Sequence, residues 1–239
     1  MKLRYLAGTR RSHLHHVSLL VLAVGSLWGA IGSIRGGEAT DDQLRSAAYD
    51  GDAKAVQVLL SREPSEVAVN RGLYDATSMG HRRIAIALMK HGADVNFADG
   101  PHHDMPLMNA AAINDVATMR ACLRHGADPN LKCDYGWTAL IHAAFQGHLE
   151  AVKLLTMHRG THINARDRYD FTALTAAVSQ GRVAVVRYLL TTPADPAMKT
   201  DRGETAMGIA RANANDPAAS GELRKHSRVV LRMLRSRLR

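Results

Sequence analysis

The stretch Thr138–Asn164, TALIHAAFQGHLEAVKLLTMHRGTHIN, has the most regular punctuation in the chain. Thr138 precedes an apolar run, where its hydroxyl can accept from the orphan backbone N–H groups of a helix start. Ala143 and Ala144 are small, so neighbouring layers can approach closely. Gly147 supplies a left-handed turn between two helices. Leu154 and Leu155 fall on the face that the second helix would bury.

The pattern recurs. Aligning on the capping threonine places copies at Arg71, Met105, Thr138, Thr172 and Thr205, spaced by 34, 33, 34 and 33 residues. Two tails, HGADVN at His91–Asn96 and HGADPN at His125–Asn130, lie at equivalent places. Such a period means stacked repeats, each unable to bury its apolar face alone.

These residues resemble the ankyrin repeat, with its T-P-L-H-x-A-A-x-x-G-H, V-V-x-L-L and G-A-D-x-N segments. Thr138, Leu140, Ala143, Ala144, Gly147, His148, Val152, Leu154, Leu155, Gly160 and Asn164 fall on that pattern. The resemblance covers about residues 41–238 and implies an all-α solenoid of helix-turn-helix units with hairpin loops. The expected array is 43–238, with a cap at 43–65, repeats at 66–99, 100–132, 133–166 and 167–199, and a second cap at 200–238.

The copies differ in detail. Arg71-Gly72-Leu73-Tyr74 replaces the T-P-L-H segment in the first full copy. Pro106 suits a first helical turn, and Asn114 replaces the turn glycine with another residue that tolerates a left-handed backbone. A polar insert, Asn215–Glu222, interrupts the last copy before Ser227–Leu238 resumes it. Arg228, Arg232, Arg235 and Arg239 then fall on the solvent face of a final helix.

Charge and composition narrow the function classes. Of 239 residues, 46% are hydrophobic but only 5% aromatic, which suits thin alanine-rich layers rather than a deep aromatic enzyme pocket. The net charge of +9 resides at the two ends. Residues 36–220 hold nineteen basic and twenty-one acidic groups, so the array gives no argument for nucleic acid. Two cysteines, Cys122 and Cys133, make no disulfide framework. Cys122 sits where a second helix is buried, while Cys133 begins a loop.

The N-terminus reads as a targeting segment. Lys2, Arg4, Arg10 and Arg11 precede Val17–Ile34, which carries no charge. Residues 1–34 are thus expected to be a signal peptide, cleaved after Gly32, or a retained N-terminal hydrophobic helix that anchors the chain. Thr9–Leu14 also loosely resembles a twin-arginine export signal. Charge ahead of the apolar run sends the array across the membrane in each case. The expected location is exported and bacterial, periplasmic or anchored to the inner membrane. A polar stretch, 35–42, is expected to be a linker.

No nucleophile–base spacing, phosphate loop or CxxC pair is present, so no catalytic residue, cofactor or metal ligand is assigned. His81, His91, His125, His142 and His148 lie at or beside positions where the repeat uses histidine for local hydrogen bonds. His102-His103-Asp104 reads as a polar loop one residue longer than its equivalents. The functional signal lies on the loops. By the resemblance, the concave partner-binding face comprises Asp134, Tyr135, Trp137, Phe145 and Gln146, then Arg168, Tyr169, Phe171, Ser179 and Gln180. Five of the chain's eleven aromatic residues are in that set, and such residues anchor protein interfaces. The implied function is a non-enzymatic module that binds another protein. The alternatives are a metal- or haem-linked stress accessory using His102 and His103, and a membrane-surface scaffold using the basic last helix.

Overall fold

Capping residue, apolar helix and left-handed turn alternate through residues 36–237, which are the residues described by the computed structural model. Thr138, Thr172 and Thr205 accept at their helix starts from the backbone N–H of Ile141, Thr175 and Gly208. Six helix pairs follow: α1 (Gly36–Asp50) with α2 (Ala53–Leu60), α3 (Glu66–Ser78) with α4 (Arg82–Lys90), and α5 (Pro106–Ala112) with α6 (Val116–Arg124). Next come α7 (Ala139–Gln146) with α8 (Leu149–Met157), α9 (Ala173–Ser179) with α10 (Val183–Leu189), and α11 (Ala206–Asn215) with α12 (Gly221–Arg237).

The chain divides into two units, and the second, Thr40–Arg239, holds the array. The hydrophobic segment 17–34, expected as signal or anchor, lies outside the described residues, as do Leu238 and Arg239. No described helix is long and apolar enough to cross a membrane. The stretch expected as a 35–42 linker is helical from Gly36 onward.

First helices α3, α5, α7, α9 and α11 touch in order, and second helices α2 to α12 do the same. Two helical layers result. Alanine governs the contact between repeats: Ala110, Ala111, Ala143, Ala144 and Ala177 are wholly buried. Leu140, Leu155, Leu174 and Leu189 fill the space between layers. Each such side chain contributes about 1.5–3 kcal/mol by leaving water. Leu154 is only half-buried against this core, so Leu155 alone occupies the fully buried position of that pair. Cys122 is a core residue as expected, and both cysteines are free thiols.

Two caps differ from the sequence reading. Arg71 does not start a helix. Ser65 does, accepting from Ala68 N–H, so α3 gains a turn and Arg71 stands in its interior. Asp41 ties this start to α1 by accepting from both the backbone N–H and the hydroxyl of Ser65. The break in the last copy is also shorter than expected, because α12 begins at Gly221. Val230 and Leu234 face inward and Arg228, Arg232 and Arg235 face solvent, as the pattern required.

Turns and tails lock neighbouring repeats in register. Gly147 has a φ of 89°, and a Cβ there would meet Arg182 Cδ at 2.7 Å. That space lets the Arg182 guanidinium reach back and donate to the Phe145 carbonyl at 3.0 Å. His81 and His148 make the same backward bond, to the carbonyls of Tyr49 and Ala112, both at 2.9 Å. Asn114 does adopt the left-handed conformation, at φ 61°.

On the tails, one asparagine grips the next repeat with both ends of its amide. Asn130 donates to Gly160 O at 2.8 Å and accepts from His162 N–H at 2.7 Å. Asn96 does this to Gly126 and Asp128, and Asn164 does it to Pro193 and Asp195.

Leu155→Ala should leave a dry cavity and cost about 2–5 kcal/mol. Asn130→Ala removes two solvent-exposed hydrogen bonds and should cost about 1–2 kcal/mol. Urea unfolding of both variants checks the ranking. Equal losses would mean that the tails, not the leucine layer, carry the array.

Candidate functional site

Between repeats the chain projects four short fingers: 99–104, 133–137, 167–171 and 200–204. Each is closed by a backbone bond from its first N–H to its last carbonyl: Asp99 to Asp104, Cys133 to Trp137, Asp167 to Phe171 and Thr200 to Glu204. The first finger is one residue longer than the others, as the sequence indicated. Neighbouring fingers are joined by three further backbone bonds of 3.0–3.1 Å, from Asp134 N–H to His102 O, Arg168 N–H to Tyr135 O and Asp201 N–H to Tyr169 O. The finger tips therefore form one continuous edge.

His102, Tyr135, Tyr169 and Arg202 occupy equivalent places on that edge. Tyr135 is 38% exposed and Tyr169 51%, the most exposed aromatic side chains among the described residues. His102 packs its ring 4.7 Å from that of Tyr135. His103 pairs with Asp134 at 2.8 Å, and that carboxylate holds the His103 pKa above its ordinary value. Arg168 and Gln146 are exposed, while Asp134, Ser179 and Gln180 are half-buried.

Trp137, Phe145 and Phe171 are not exposed as expected. All three are half-buried against the core. Trp137 Nε1 donates to Asp167 Oδ2 at 3.0 Å, and its ring meets those of His142 and Phe145 at 4.9 and 5.0 Å. The finger register explains the difference. Trp137 and Phe171 are the last residues of their fingers and turn toward the helices, whereas Tyr135 and Tyr169 stand at the tips. Burial raises the Asp167 pKa although Phe171 N–H, Tyr169 N–H and Trp137 donate to it.

The three adjacent residues of the first finger diverge. His102 goes to Tyr135, His103 goes to Asp134, and Asp104 turns inward toward His142. Asp104, Cys133 and His142 thereby come together, with one ligand atom from each lying within 4.8 Å of the others. Sequence spacing did not mark this group, since its members come from three segments. A signal was nonetheless present: Cys133 occupies the finger-base position held by Asp99, Asp167 and Thr200 in the other repeats.

A second feature lies at the end of the array. An open cleft of about 870 Å³ runs between α11 and α12, lined by Arg224, Lys225, Arg228 and Arg232. Arg224 is held there by the Pro217 carbonyl at 3.0 Å.

Comparison with known proteins agrees with this architecture. A sequence profile of ankyrin repeats in three copies matches residues 73–167 and 107–200. Ankyrin repeat protein nuc-2 of Neurospora crassa is 35% identical over 117 residues, covering 47% of this chain. The chain spans 11% of that relative's length. Cyclin-dependent kinase 4 inhibitor B of Bos taurus is 29% identical over 123 residues, covering 50% of this chain and 94% of that protein. The crystal structure of an ankyrin repeat domain from Acinetobacter baumannii has a TM-score of 0.68 and 29% identity, covering 81% of this chain and 96% of that chain.

Trp137→Ala should cost about 1–3 kcal/mol, less than a fully buried aromatic because the ring is only half-buried, and should leave Asp167 short of one donor. Tyr135→Ala and Tyr169→Ala should each stay within about 0.5 kcal/mol of wild type, as surface changes do. Thermal unfolding of the three variants separates them, and an unchanged midpoint in Trp137→Ala would return that ring to the exposed set.

Proposed function

The chain belongs to the ankyrin-repeat family, and on that premise we propose that it is a non-enzymatic module that holds another protein against its finger edge. The observation that carries this reading is the pair Tyr135 and Tyr169. They stand one repeat apart on fingers held by backbone bonds, so two rigid aromatic anchors are presented at fixed spacing. Tyrosine offers a large contact area at low entropy cost, and its hydroxyl tolerates water when no partner is bound. Arg168 and Gln146 supply polar contacts beside them. Trp137, Phe145 and Phe171 support this edge from beneath. The bovine relative is named as an inhibitor of a kinase, a task done by binding, which is compatible with the proposal.

We also propose that the array works outside the cytoplasm of a bacterium, in the periplasm or anchored to the inner membrane facing it. The basic residues 2–11 ahead of the uncharged run 17–34 support this. A further reading, contact with an anionic membrane surface, is favoured by the exposed arginine row of α12 beside the basic cleft.

The double change Tyr135→Ala, Tyr169→Ala should reduce affinity for a partner captured from the native host by roughly thirtyfold or more, at about 2 kcal/mol for a lost anchor. Its unfolding midpoint should stay that of wild type. Undiminished capture would remove the finger edge from the binding site.

A reporter that is active only after export, fused behind Arg239, should be active, and N-terminal sequencing then distinguishes cleavage after Gly32 from a retained anchor. Activity of a cytosolic reporter at the same place would reverse the topology.

A further inference from the structure

We propose that Asp104, Cys133 and His142 form a binding site for a divalent transition metal of the zinc class, set inward of the finger tips. Register within the chain shows what is unusual about this group. Asp99, Asp167 and Thr200, the other finger-base residues, each give a side-chain oxygen to the N–H groups of their own finger. Asp167 takes the N–H of Tyr169 and Phe171, both at 2.8 Å. The equivalent donors in the second finger, Tyr135 N–H and Trp137 N–H, point at Cys133 sulfur. The finger thus offers two donors to an anion, and a thiolate can take the place the carboxylate has one repeat later.

The other two ligands complete the set. Asp104 and His142 come from the end of the first finger and from α7. Asp104 Oδ1 and His142 Nε2 are both buried, and neither has a hydrogen-bond partner. They lie 3.5 Å apart, too far for a well-made hydrogen bond. That separation suits a shared ion. Bonds of about 2.0–2.3 Å in tetrahedral geometry place ligand atoms about 3.3–3.6 Å from one another. Cys133 sulfur needs only a small approach from its present position within 4.8 Å. Trp137 packs edge-on to the His142 ring and limits its rotation.

On binding, a sulfur–metal bond forms and the thiol proton passes to solvent, one proton per ion. One sulfur, one nitrogen and one oxygen ligand favour zinc over magnesium or calcium. Three protein ligands leave a fourth position for water.

Cobalt(II) reports this site. The full chain, stripped with chelator and titrated with Co2+, should take up one equivalent with a near-ultraviolet sulfur-to-cobalt band and visible bands of tetrahedral intensity. Zn2+ should bleach both. Cys133→Asp restores the residue type of the neighbouring fingers, so it should fold and lose the sulfur band. Cys122→Ala should keep it. Asp104→Asn and His142→Ala should each weaken Co2+ binding by at least about tenfold. Absence of the sulfur band in wild type, its survival in Cys133→Asp, or indifference to both Asp104→Asn and His142→Ala would overturn the proposal and leave a hydrogen-bonded polar cluster.

Discussion

One asparagine amide per tail fixes the register of this array. Asn96, Asn130 and Asn164 each bond a carbonyl and an N–H of the following tail, while Asn70 accepts from Asp94 N–H at 2.7 Å. Exposed bonds of this kind contribute only about 0.5–1.5 kcal/mol each. Their importance is geometric. An amide that must satisfy a donor and an acceptor on one neighbour permits one offset between repeats. The alanine contacts alone would not set that offset, because small side chains slide past one another with little change in buried area.

Once the offset is fixed, the fingers meet as strands do, N–H to carbonyl from each finger to the next. The tips then inherit the period of the helices, and residues one repeat apart become neighbours on a single edge. Tyr135 and Tyr169 are such a pair. The same register brings Asp104, from the end of one finger, to the base of the next beside Cys133. Both features are therefore products of stacking, and neither exists within one repeat.

This explains what the sequence could and could not disclose. Features local to a repeat were legible: the threonine caps, the turn at Gly147 and its replacement at Asn114, whereas the histidines read as making local bonds reach back to the preceding repeat from His81 and His148. Features between repeats were legible only in part. Trp137 looks like a loop aromatic until its indole N–H is seen to meet Asp167, thirty residues away. Arg71 fits the period, yet Ser65 starts the helix, because a cap is chosen by which oxygen reaches the free N–H groups. Leu154 and Leu155 match the pattern equally, and only the packing of α8 against its neighbours puts Leu155 at full burial. Cys133, Asp104 and His142 have no telling spacing, because their proximity is set by the offset that the tail asparagines impose.

Trp137 links the inward cluster to the finger edge. One face of its surroundings is His142, a member of the inward cluster, and its indole N–H holds Asp167 at the base of the finger that carries Tyr169. Asp167 in turn accepts from Tyr169 N–H and Phe171 N–H, so the shape of the third finger depends on that carboxylate. A side chain that both orients an imidazole and positions the acceptor of the next finger cannot shift for one role without disturbing the other. The half-burial of Trp137 follows from this double duty, whereas Tyr135 and Tyr169 stand exposed at the finger tips.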